Sequence, residues 1–258
     1  FDLGADVEYN TNTESYVAWT WDAGSSTASN TDGSITSQVR VNQTAGFSIM
    51  TLTFPTYSGT SSVGHGLNAA PHFWIMKDRD SSDGWYTGHI SLGAGKYLRL
   101  ESTSAEQSST TLWDNTLPSS SVIYNNGTAM SGAGDYLMLA WAPVAGYSAF
   151  GSYEGNGSND GVFVHTGFSV RWLLTKASSH GSDWQLWDSA RQSYNVNANT
   201  LTPNSSGAET GSAGYAVDLL SNGFKFRLYG SSSNQSGYTY IWAAFASNPF
   251  QANGGLAR

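Results

Sequence analysis

Residues Tyr136–Trp141 read YLMLAW and residues Tyr238–Phe245 read YTYIWAAF. Working outward from these, the same kind of run recurs as FSIMTLTF (Phe47–Phe54), HFWIMK (His72–Lys77) and YLRLE (Tyr97–Glu101). Each is short, aromatic or aliphatic, and bounded by Gly, Ser, Asn or Asp, which is how strands between polar turns read. No segment carries a sustained apolar stripe at helical period. The best helix candidate, Ala213–Leu220, is short and uncapped. The expected class is all-β with very little helix.

The runs also repeat. Gly64-His65-Gly66 precedes FWIMK (Phe73–Lys77) and then Gly84-Trp85, while His165-Thr166-Gly167 precedes WLLTK (Trp172–Lys176) and then Asp183-Trp184. Ser104-Ala105-Glu106 matches Gly207-Ala208-Glu209, Val122-Ile123-Tyr124 matches Phe224-Lys225-Phe226, and Asp135-Tyr136-Leu137 matches Thr239-Tyr240-Ile241. The offset is about 100 residues. This divides the chain into repeat one over residues 47–146 and repeat two over residues 147–258, packed closely because the linker is only Ala142–Gly146. Residues 1–46 hold Tyr16–Trp21 (YVAWTW), which reads as the closing strand of a preceding repeat, followed by a small, polar connector over Ser25–Gln38. Its alternation places Val17, Trp19 and Trp21 on a buried face. The start at Phe1 reads as an internal cut or a processed end. About six strands per copy call for two packed layers, because a single sheet would leave an apolar face wet. The expectation is a tandem antiparallel β-sandwich with jelly-roll or concanavalin-like layers, each copy forming its own sandwich or both sharing one.

Composition narrows the function classes. The net charge is −8 with no run of Lys or Arg, which argues against a nucleic-acid partner. Cysteine is absent, so disulfides and thiolate metal sites are excluded. No apolar stretch approaches the roughly 20 residues of a membrane span.

The motifs YVAWTWDAG (Tyr16–Gly24), NTDGSITSQV (Asn30–Val39), TAGFSI (Thr44–Ile49), GHGL (Gly64–Leu67), GYSAFGSYEGNGSNDG (Gly146–Gly161), FVHTGF (Phe163–Phe168) and DSAR (Asp188–Arg191) carry a resemblance. Over Glu14–Phe250 the chain resembles a repeated domain of unknown function found in virion proteins of marine bacteriophages. Val162 and His165 stand where that pattern has Pro and Tyr. The resemblance implies a place on the phage particle, in a tail fibre or another surface appendage, and brings no catalytic residues with it.

Asp78, Asp80 and Asp83 in KDRDSSDG are a calcium candidate, since hard cations take several loop oxygens. Their spacing is not that of an EF-hand, and a solvated hairpin turn is the favoured reading. The five histidines lack metal-ligand spacing, no nucleophile elbow occurs, and the carboxylate pairs Asp183/Asp188 and Glu101/Glu106 are what any acidic chain supplies. An enzyme is therefore not expected, and no cofactor. Glycan binding is the sharper expectation, because sugars stack on aromatic rings while short polar side chains take their hydroxyls. The candidates are Trp113 with Asp114 and Asn115, and Tyr153 with Asn156 and Asp160. The strand tryptophans, Trp74 and Trp242 among them, read as core. Lys77 and Lys176 recur at one repeat position and read as guards of a sheet edge.

The sequence thus predicts a structural and binding segment of a phage virion protein. Its partners would be other virion proteins, further copies of itself (a trimer being the commonest fibre symmetry) and glycans of the host surface. The alternatives are a capsid-decorating or tail-assembly scaffold without ligand, and a glycan depolymerase, which would need facing carboxylates in a cleft.

Overall fold

The computed structural model describes residues 4–55, 59–126, 133–230 and 232–247. The tail of the second repeat beyond 247 lies outside them. The strands in chain order are β1 (Ala28–Asn30), β2 (Ser37–Asn42), β3 (Phe47–Phe54), β4 (Thr60–Gly64), β5 (Phe73–Asp78), β6 (Trp85–His89), β7 (Lys96–Arg99), β8 (Gln107–Ser108), β9 (Val122–Asn126) and β10 (Gly134–Trp141). They continue with β11 (Ser148–Glu154), β12 (Phe163–His165), β13 (Val170–Ala177), β14 (Gln185–Asp188), β15 (Asn199–Thr200), β16 (Thr210–Gly211), β17 (Val217–Leu220), β18 (Gly223–Phe226) and β19 (Thr239–Ala246). Helix among the described residues amounts to Val7–Asn10 and the 3-10 turns Ile90–Leu92 and Ala213–Tyr215.

The strands form antiparallel sheets. The largest runs β1-β2-β3-β10-β5-β6-β7-β8, and a second runs β11-β19-β13-β14. Smaller sheets are β12-β18-β17, β15-β16 and β4-β9. A bridge between Leu186 and Leu201 carries the second sheet on toward β15.

Face alternation places the core. On β10, Tyr136, Met138 and Ala140 enter a cluster with Phe54, Trp74, Met76, Trp113 and Ile123, while Leu139 and Trp141 point the other way. On β19, Tyr240, Trp242 and Ala244 join Phe224, Phe226, Leu173 and Trp187. Its opposite face, Ile241, Ala243 and Phe245, shares one cluster with Phe47, Phe73, Ile75 and Trp141 of the large sheet. The two large sheets therefore press together face to face, and β10 and β19 are covered on both sides. This explains why their sequences are nearly continuous apolar runs rather than alternating ones.

Close packing is achieved by exchanging bulk between neighbouring strands. Trp74 on β5 pairs with Gly88 on β6, where a Cβ would come within 2.0 Å of the indole. In the second sheet Leu173 on β13 pairs with Trp187 on β14. Likewise the pair Met50–Met138 has a counterpart in Gly151–Trp242. Each large side chain buried this way contributes roughly 1.5–3 kcal/mol, provided its neighbour gives way.

Four local expectations are corrected. Tyr16–Trp21 forms no strand; it is an irregular segment whose Trp19 and Trp21 rest, half-buried, on the central cluster. The stretch read as a connector instead contains β1 and the start of β2, which extend the large sheet beyond β3. Ala213–Leu220 is a single 3-10 turn followed by β17, because Val217 and Leu219 pair with Phe226 and Phe224. Lys77 and Lys176 guard no edge either, as β5 and β13 each have a strand on both sides.

Candidate functional site

The sequence-nominated aromatic plates face inward. Trp113 is 1% exposed and meets Trp74 edge-on, with ring centroids 5.5 Å apart. Asp114 and Asn115, which follow it, form a left-handed turn (φ 51° and 46°) that points the chain outward and leaves the indole inside. Tyr153 is buried and stacked on Tyr240 at 5.0 Å, and its hydroxyl donates to the Ser233 carbonyl at 2.6 Å. Asn156 is exposed but knits its own loop, donating to the Asp160 carbonyl and accepting from Ser158 N–H and Asn234 Nδ2. Asp160 pairs with Lys225 at 2.5 Å. Neither tryptophan nor tyrosine can serve as a sugar platform in the folded chain, and both groups are accounted for by the fold.

Asp78, Asp80 and Asp83 likewise tie down a turn. Asp78 is buried and accepts from Asp80 N–H, Ser81 Oγ and the Tyr136 hydroxyl. Asp80 accepts from Asp135 N–H, and Asp83 from Gly84 N–H and the Tyr86 hydroxyl. Among the described residues no three His, Asp or Glu side chains converge on a metal-sized position. The other carboxylates considered are also engaged: Glu106 with Lys96, Glu101 with Trp85 N–H, and Asp183 with Asn204.

What the structure does assemble is a cleft of about 320 Å³ between the irregular segment 17–21 and the end of the second sheet. One wall is Trp19, Thr20 and Trp21; the other is Tyr147, Arg171, Trp172, Asp188 and Phe245. Trp21 closes its floor, edge-on to Trp141 at 5.9 Å, Trp172 at 5.5 Å and Phe245 at 5.4 Å. Trp19 Nε1 reaches Asp188 Oδ2 across the cleft at 3.3 Å.

Asp188 is the most tightly held group here. Burial pushes its carboxyl up, but the Arg191 side chain and the N–H groups of Arg191 and Ala190 outweigh this and leave it below the usual carboxylate range. Arg191 Nε lies 2.6 Å from Oδ2, and its other arm holds Glu209. Asp188 is thus a structural anion that ties Trp19 to β14.

Arg171 is placed differently. The register of β13 against β19 steps from Val170–Ala246 to Trp172–Phe245, so Arg171 is the extra residue of a β-bulge. Bulges re-aim a side chain out of the ladder. Its side chain is exposed, and among the described residues its guanidinium has no hydrogen bond or ion pair. The sequence reading missed this site, although two of its parts, YVAWTWDAG and DSAR, stood in the quoted motifs.

The position matching Asp188 in the large sheet is His89. His89 pairs with Phe73 as Asp188 pairs with Trp172, and Ile90 N–H bonds His72 O as Ser189 N–H bonds Arg171 O, both at 2.8 Å. His89 is fully buried. Its Nδ1 accepts from Ser91 N–H, so Nε2 carries the proton and donates to the Trp242 carbonyl of the other sheet at 3.1 Å. Burial lowers its pKa to about 4.

No curated protein and no solved structure matches the chain. Residues 1–249 match a family described as a domain of unknown function, DUF7483, and the chain belongs to that family.

Proposed function

We propose that this chain is a non-enzymatic structural and binding segment of a bacteriophage virion protein, and that it meets host-surface glycans through the cleft between Trp19 and Trp172. The architecture in this reading is one β unit used twice. The pairing order β3-β10-β5-β6-β7-β8 with β4 on β9 has its counterpart in β11-β19-β13-β14-β15-β16 with β12 on β18, which supports a tandem layered sandwich. The virion location rests on the motif resemblance. Mass spectrometry of purified particles tests it: peptides of this chain are expected in intact virions, and their absence removes the reading.

The observation that carries the binding role is the lining of the cleft. The partly exposed indoles of Trp19 and Trp21 beside fixed polar groups suit the apolar faces and hydroxyls of a sugar ring. A carbohydrate array with wild type and Trp19→Ala is the test. Wild type is expected to retain at least one saccharide without cleaving it, and the variant to lose about ten-fold or more in affinity. No retention of any saccharide would leave only the architectural role. Contacts with other virion proteins or further copies would use the exposed apolar side chains, led by Tyr194 and Val7 at 84% and 75% exposure. Mass photometry of the isolated chain is expected to show an oligomer; a stable monomer removes self-association.

A further inference from the structure

Resting on the glycan reading of the cleft, we infer that its ligand is an acidic saccharide, one whose ring carries a carboxylate, and that Arg171 is the residue that selects for the acid.

Every other charged group around the cleft is already committed. Asp188 takes two backbone N–H groups and Arg191; Arg191 takes Asp188 and Glu209; Asp22, the carboxylate near Tyr147, accepts from Gly24 N–H and Asn42 Nδ2. Among the described residues, Arg171 alone lines the cleft with an uncommitted charge. A guanidinium can bond both oxygens of a carboxylate at once, which a hydroxyl cannot exploit. The bulge is a second, independent observation. Without the extra residue, position 171 would sit in register on β13; with it, the side chain leaves the ladder at the mouth of the cleft, flanked by Trp172. The same position in the large sheet is His72, one residue before Phe73, where β5 keeps an unbroken register with β10 and no arginine occurs. An aromatic wall with one free arginine at its rim fits a ring that is apolar on one face and bears an anion on its edge.

The test is a titration of the full chain, at low and at physiological salt, with trimers of galacturonate and of mannuronate, with their methyl esters, and with neutral trimers as controls. Wild type is expected to bind at least one acid trimer about ten-fold more tightly than its ester, and to lose that preference as salt rises. Arg171→Gln, on an exposed side chain, should keep the melting temperature and bind acid and ester equally. Trp19→Ala should weaken both. Binding of neutral trimers or esters at least as tight as of the acids would overturn the inference while leaving the glycan reading intact. No binding of any trimer would remove both. An acid preference that survives Arg171→Gln would also overturn it, since the anion would then be held elsewhere.

Discussion

His89 and Asp188 occupy matching places in the two large sheets and have opposite uses. His89 turns inward as a neutral imidazole and fastens one sheet to the backbone of the other at Trp242. Asp188 remains charged, is neutralised by Arg191, and holds Trp19 over a cleft. Their neighbours follow suit: His72 lies against Phe150 of the second sheet, whereas Arg171 is bulged and free. One corner is thus a joint and the other, walled by Trp19 and Trp21, an opening.

The largest expected effect is on the exchange of bulk between sheets. Trp74→Ala should cost about 3–5 kcal/mol by chemical denaturation, as a buried indole leaves a cavity. Gly88→Trp alone should be comparably damaging, because Gly88 already abuts Trp74. The double change Trp74→Leu with Gly88→Trp transplants the Leu173–Trp187 pair into the large sheet. It is expected to recover at least half of the summed loss in a double-mutant cycle. Simple additivity would mean that the two sheets are not interchangeable.

Next comes the joint. The folded pKa of His89, about 4, lies below the ordinary 6.5. The unfolded chain therefore binds more protons between these values. Stability is fully present above pH 6.5 and falls as pH drops toward 4, by about 3 kcal/mol. His65, also buried and held between Leu67 N–H and the Ser119 carbonyl, adds to the loss in the same direction. His89→Gln should lower stability at pH 7 and flatten the acid limb measured by urea titration. An acid limb as steep as that of wild type would break the assignment.

A comparable effect, confined to alkaline pH, separates the two lysines. Lys77 is partly exposed and donates to the carbonyls of Asp78 and Ser81 at 2.5 and 2.8 Å. Lys176 is fully buried against the Ala177 carbonyl, and burial lowers its pKa to about 8 from 10.5. The unfolded chain binds the extra proton between those values, so stability should rise with pH from 8 to 10.5. Lys176→Met should abolish that rise, about 3 kcal/mol in size, and Lys77→Met should leave it in place.

These contrasts also explain what could be read beforehand. The central strands were legible because a strand covered on both faces is written in apolar residues throughout, as in FWIMK and YLMLAW. Tyr136 pairs with Asp78 and Tyr240 with Ala177, in each case the residue after a lysine. Of the two recurring histidines only His65 is buried; His165, opposite Gly223, is exposed. Ser37–Asn42 is hard to read as a strand because its alternation rests on Val39 and Val41 alone, among Ser, Gln, Arg and Asn. YVAWTW was misread because alternation describes a side-chain pattern, while pairing needs a free edge. Trp113 looked exposed because polar turn residues follow it, yet the turn reverses just after the indole is buried. Arg171 could not be seen at all, since a bulge is a mismatch between two strands and leaves no mark on either alone.

The most direct test of the account is the indole N–H spectrum of the chain, ten tryptophans in all, recorded during titration with an acidic trisaccharide. Shifts confined to the indoles of Trp19 and Trp21, with those of Trp74, Trp113 and Trp187 unmoved, are the predicted result. A binding curve whose shifts fall on the buried set, or on none of the cleft indoles, would contradict the claim that the open corner is where this protein meets its ligand.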